Sequence, residues 1–409
     1  MTVTTTTAGT GSRGAAAAVR GPVPVLWLAL LATPLAAGAN APVLILPDMA
    51  ASLGVGAKAA AWMLTAFGWA TAVGTPLLAG LLRRRGVPAV LRLSGLLVVA
   101  GTLLVAASPW LPLTLLGRCG QAAGGAGLVA VAISLAGTAR RMGVISAGFG
   151  MLGAAGPLLG RALAEAASWR LALAASALSL LAIPAVIRHA GPGTPPAPGR
   201  FDARGAALLT ALATALVLLP TAPLAALGGA LAAGVLLAAH IRRRPDGFVP
   251  AALLRRPAFV VPALLALLLS ASYFTLLFSV ARLLADRAGW DTVSAGTGQL
   301  VALLAGSALS WPLAAASTRM SRATIRTVLL ALGTLAALTG ILADGGPLLL
   351  AATAAGVLTA SSANAILSTQ AVAAASEEAQ RPSAIGLFTL CYQLGGAFGP
   401  AVATLLVLG

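Results

Sequence analysis

The chain has 409 residues, 59% of them hydrophobic and only 9% charged, with a mean hydropathy of +0.97; soluble domains carry roughly a quarter charged residues. No soluble core absorbs that much apolar surface, which excludes a water-soluble globular protein. The formal net charge of +17 would point to nucleic acid in a soluble chain, but here the cations sit in short loops between apolar runs and few aromatics are available for base stacking, so nucleic-acid binding is excluded.

In chain order, residues 1–23 open with small and polar residues, including the run Thr4 to Thr7 and two arginines, without the compact apolar region and cleavage site of a signal peptide. They read as a disordered cytoplasmic tail. Apolar runs long enough to cross a hydrocarbon layer of ~30 Å then begin near Val25, Ala60, Pro88, Leu113, Gly143 and Ser168, giving a six-helix unit over 24–189. Residues 190–256 read as a linker holding a central helix pair, starting near Gly205 and Thr221, which either crosses fully or forms a shallow hairpin. Further runs begin near Ala258, Thr292, Thr324, Pro347 and Ser383, making a second helical unit over 257–409. The runs lack the two-residue alternation of a barrel strand. The expected fold is therefore an all-α polytopic membrane protein with about thirteen transmembrane helices in two pseudo-symmetric units.

With the N-terminus placed in the cytoplasm, twenty of the 26 Lys and Arg fall on inner loops and five on outer ones, and Arg118 lies within a span. That bias obeys the positive-inside rule and supports the topology. Arginine in place of lysine, together with abundant alanine, suits a GC-rich bacterial genome and hence an inner membrane. Cys119 and Cys391 lie in apolar runs without redox or metal-ligand spacing. No cofactor or metal motif occurs, and no catalytic constellation marks an enzyme.

The two units echo each other. LGAAGPLLG at 152–160 has a counterpart in LGGAFGPAVA at 394–403, and Pro76 with Arg83 seven residues on matches Pro312 with Arg319. Such internal duplication is the usual build of secondary transporters.

On these residues the chain resembles the major facilitator superfamily, and in particular its fourteen-helix drug:proton antiporter branch. Gly156-Pro157-Leu158-Leu159-Gly160 with Ser168-Trp169-Arg170 is similar to the antiporter motif of the fifth helix, and Arg118-Cys119-Gly120-Gln121 through Gly124 to the fourth-helix motif. Leu46-Pro47-Asp48, Leu53-Gly54 and Trp62 resemble the passage from the first to the second helix, and Phe201 to Gly205 the lead-in to the central pair. The departures from that pattern are specific. Arg83 stands where the family has an acidic residue, Gly38 where the branch often has aspartate, and Arg161 where it has a glycine. A sixth helix of the second unit is also missing from the repeat.

Two roles are open for Arg118. The resemblance implies a substrate anchor or part of a proton relay; the alternative is a structural cation that caps helix ends or snorkels to the interface. For Gly156, Pro157 and Gly160 the resemblance implies a pivot or seal between the halves, and close helix packing is the alternative. All nine acidic residues fall in or beside loops, so Asp48 and Glu165 near the outer mouth are the remaining coupling candidates, while His189 and His240 read as interfacial. Asn40, Trp62, Arg118, Gln121, Tyr273, Asn364, Gln370 and Gln393 suit a cavity with apolar walls and a few orienting polar groups. The expected function is export of lipophilic drugs or secondary metabolites by alternating access, driven by protons, with a monomer in the bilayer as the working unit. A uniporter or importer of a small organic solute, and a non-transporting ligand-binding relative, are the alternatives.

Overall fold

The computed structural model describes residues 22–60, 62–189, 201–219 and 222–407. Every regular element in them is helical, because in lipid a helix satisfies its own backbone without a partner. The expected tail lies outside the described residues.

The first crossing, α1 (Val25–Leu44), breaks at Thr33-Pro34 and ends in a 3-10 turn. Helical residues then run through a 46-residue stretch, Trp62–Ala107, interrupted at Gly86. At 1.5 Å per residue it would extend ~69 Å, twice the membrane core. Gly86, at φ 74°, divides it into α2 (62–85) and α3 (87–107); that left-handed backbone is open to glycine without the steric penalty other residues bear, and Pro88 closes the turn. Then come α4 (Leu111–Ala136), α5 (Ala139–Ala166), capped by the Thr138 side chain, and α6 (Trp169–His189), capped by Ser168. The central pair is α7 (Ala203–Leu218), capped by Asp202, and α8 (Pro223–Arg243). The chain continues with α9 (Pro257–Ala288), α10 (Thr292–Ala316), α11 (Arg322–Leu342), α12 (Gly346–Ala373) and α13 (Arg381–Val407). Each helix starts within about a turn of its expected position. At 16 residues α7 reaches only ~24 Å, shorter than the hydrocarbon layer.

Helices α1 to α6 form one unit and α9 to α13 the other, with α7 and α8 packed on each other beside them. Small residues set the closest approaches, as expected where lipid supplies no hydrophobic drive for helix association. Gly101, Gly117 and Gly124 let α3 and α4 meet backbone to backbone, and Gly395 and Gly399 do the same for α13 on α9.

Between the units α5 meets α10 and α12, and α2 meets α13. The close approaches lie toward one face, the arginine-rich face carrying Arg83 to Arg85, Arg140, Arg141, Arg319 and Arg381. A Cβ added at Gly143 would stand 2.7 Å from that of Ala314, and one at Gly386 would stand 2.7 Å from that of Ala79. Midway along α5, Gly150 faces the hydroxyl of Ser307. In the opposite half the tight glycine contacts stay inside each unit: Gly156 and Gly160 face α1, and Gly395 and Gly399 face α9. A cleft of about 360 Å³ also opens between the units at the arginine-rich face, lined by Arg83, Gly137, Met142, Ser368 and Arg381.

Candidate functional site

Arg118 occupies the second turn of α4 and is fully buried. Its Nη2 donates to the Gly38 carbonyl at 2.9 Å and its Nη1 to Gln121 Oε1 at 3.1 Å, while the guanidinium lies 4.1 Å over the Phe67 ring. The Gln121 amide donates onward to Thr102 Oγ1 and the Leu173 carbonyl, both at 3.1 Å. One side-chain network thus ties α1, α3, α4 and α6 together, roofed by an aromatic ring from α2. Among the described residues Arg118 has no carboxylate partner, and its Nε has no hydrogen bond. Gly38 proves to be a packing position, since a Cβ there would approach Ser176 Cβ to 2.8 Å.

The other predicted residues are spread along the molecule. Asn40 donates to the Gly153 carbonyl at 2.9 Å, joining α1 to α5. Asn364 Nδ2 reaches Ser146 Oγ at 3.3 Å across the seam between the units. Ser307 and Ser362 add buried hydroxyls without partners near that seam. In the second unit the half-buried Tyr273 ring lies 4.8 Å from that of Phe274, and Gln393 keeps a buried amide oxygen unbonded. Gln370 accepts from Arg326 Nε at 3.0 Å near the arginine-rich face. Trp62, at the far end of α2, is largely exposed.

Asp48 and Glu165 share a pocket of about 450 Å³ at the face opposite the arginine-rich one, with Arg161, Ser168, Trp169 and Arg170. Glu165 pairs with Arg161 at 2.7 Å, both more than half exposed, a geometry that contributes little stability. Gly156 and Gly160 face Ala37, Asn40 and Ala41 of α1, and Pro157 is half-buried in α5. These contacts belong to the first unit, not to the seam.

Loop composition gave no hint of a hub formed at the arginine-rich face. The Asp202 carboxylate, which caps α7 through the Gly205 N–H at 3.1 Å, also accepts from the Phe248 N–H at 3.0 Å and lies 2.9 Å from His240 Nε2 at the end of α8. His240 is therefore a hydrogen-bond partner of Asp202, with 13% of its side chain exposed. Burial pushes the Asp202 carboxyl up, but the Phe248 and Gly205 amides and His240 outweigh it and hold the group below the ordinary carboxylate range. Arg83 donates to the Gly247 carbonyl at 3.0 Å, Trp69 Nε1 donates to Thr214 Oγ1 at 2.9 Å, and the Phe248 ring fills the space over Gly80. Arg83, which stands where an acidic gate residue was expected, thus fastens the central pair to α2. Asp202 and His240 are 38 residues apart, so only the antiparallel return of α8 brings them together.

The architecture is that of a polytopic helical transporter with two linked units. The family model of the Major Facilitator Superfamily matches residues 26–400, and the chain belongs to that superfamily. Among solved structures it is similar to the human organic anion transporter MFSD10 (TETRAN), at 19% identity and a TM-score of 0.64, covering 95% of this chain and 93% of that one. It is also similar to the proton:xylose symporter XylE bound to 6-bromo-6-deoxy-D-glucose, at 13% identity and a TM-score of 0.59, covering 93% of this chain and 88% of that one. At such identities the likeness establishes the fold. No curated protein matches the sequence.

Proposed function

We propose that the protein is a secondary transporter that exports amphipathic organic molecules, of the drug or secondary-metabolite type, from the cytoplasm by rocking its two units about a central cavity. The arginine-rich face, and with it the N-terminus, is assigned to the cytoplasm of a bacterial inner membrane. The observation that carries the reading is the one-sided seam. The units touch through Gly143, Gly150, Asn364 and Gly386 toward one face, while the glycine contacts of the other half remain within each unit. On this reading the arrangement is one end state of alternating access, with the units held together nearer the cytoplasmic side.

Substrate recognition is assigned to Asn40, Arg118, Gln121, Tyr273, Asn364, Gln370 and Gln393, with Trp62 at the outer mouth, and the pivot of the first unit to Gly156, Pro157 and Gly160. Proton antiport would use Asp48 and Glu165, the carboxylates of the outer pocket. A uniporter is the second reading, favoured by the lack of any acidic residue in the middle of a span. The working unit is taken as a monomer.

Purified protein in liposomes, loaded with a fluorescent amphipathic dye and given an inward or outward pH gradient, tests these readings. Dye movement that follows the gradient supports antiport, and movement that ignores it supports uniport. Absence of movement for every dye tried would leave the non-transporting alternative standing.

A further inference from the structure

Arginine stays protonated in proteins, so Arg118 places a full positive charge inside the first unit. The groups around it are neutral: a backbone carbonyl, an amide oxygen and an aromatic face. They solvate the cation without cancelling it. Gln121 has spent its amide on Thr102 and Leu173, and Nε of Arg118 remains unbonded.

Among the described residues no carboxylate pairs with Arg118. Glu165, Asp286 and Glu378 are paired with arginines at the surface, and Asp202 is committed to the hub with His240. The backbone position nearest the guanidinium, Gly38, is closed to a longer side chain by Ser176. A buried cation without a counter-ion is costly in lipid, and in a medium of low dielectric its field reaches well beyond contact distance. The residues packed beside Arg118, including Leu35, Phe67 and Ala122, suit a hydrophobic body, and the guanidinium itself repels a second cation.

We infer that the transported molecule is an organic anion, an apolar or aromatic body bearing one carboxylate or sulfonate, selected by the uncompensated charge of Arg118. This rests on the transporter reading above and adds the charge of the cargo. The anion offsets the buried cation while bound, and its apolar body packs against the cavity walls. Arg118 is fully buried against the Phe67 ring, so selection acts through the field in this state.

The test uses the full-length protein in liposomes clamped at zero membrane potential, with three dyes on one aromatic skeleton: a sulfonate, a neutral ester and a quaternary ammonium. The sulfonate should move about tenfold faster than the other two, the effect of one unscreened charge at close range. Arg118→Gln should bring the sulfonate-to-ester ratio close to one, and Arg118→Lys should preserve the preference. A merely structural arginine would instead lower all three fluxes together and leave the ratio unchanged, which overturns the inference. Equal or faster movement of the ammonium dye by the unaltered protein also overturns it, and that result stands even where Arg118→Gln does not fold. In both cases transport itself would stand, whereas immobility of all three dyes removes the transporter reading as well.

Discussion

At the residue scale, the decisive positions are those where one side chain excludes another. Gly38 is the clearest case, because α1 and α6 approach so closely that even a methyl group meets Ser176. Gly38→Ala should cost about 1–3 kcal/mol, the usual cost of overpacking, seen as a lower melting temperature in detergent. Ser176→Gly should restore most of that loss in the double variant, since the two sites share one space. Retention of wild-type stability by Gly38→Ala alone would show that α1 and α6 are further apart than the structure places them. The sequence motif around Arg118 and Gln121 was legible as a pair, but their partners were not: Phe67, Thr102, Gly38 and Leu173 carry no signature, and two of the contacts use backbone carbonyls that every residue possesses.

Among the elements, the central pair is where structure adds most to sequence. Short and apolar, α7 and α8 could have floated beside the bundle on a flexible linker. Instead Asp202, Phe248 and Arg83 bind them to α2. Asp202→Ala removes an N-cap, costing about 1 kcal/mol, together with the acceptor of the Phe248 N–H. It should expose a cysteine placed at Phe248 to water-soluble maleimide at least severalfold faster than the same cysteine in an otherwise unaltered chain. The hub should also respond to acid in a defined direction. A carboxyl held below its ordinary value contributes stability that is fully present above the unfolded value of about 3.9 and is lost as pH falls through the lower folded one. The hub should therefore stay intact from neutral pH down to about 4, with release only in stronger acid, read by the fluorescence of a polarity-sensitive label carried on the central pair; release at pH 6 would assign the control to another group.

For the whole molecule, the one-sided seam predicts which cross-links stop the cycle. Cysteines at Gly143 and Ala314, whose Cβ positions would stand 2.7 Å apart and need only a small outward shift to reach the ~3.8 Å of a disulfide, should form a disulfide that halts flux and is reversed by reductant. A pair placed on Ala215 and Gly229, whose Cβ positions lie 3.6 Å apart between α7 and α8, should leave flux unchanged if the two units rock as rigid bodies. Arrest by the second pair would mean that the central pair deforms during transport.

Composition and hydropathy determined the membrane class and the approximate starts of the apolar helices, ten of which among the described residues are long and apolar enough to cross a membrane, because length in lipid and loop charge are properties of contiguous sequence. The passage at Gly86 and the helix caps were equally local. Tertiary structure alone decided that Arg118 has no carboxylate partner among the described residues, that His240 meets Asp202, and that the closest glycine contacts between the units lie toward one face. Each of these depends on which residues distant in sequence come within a few ångströms, and in helices of similar apolar character that is set by small-residue packing.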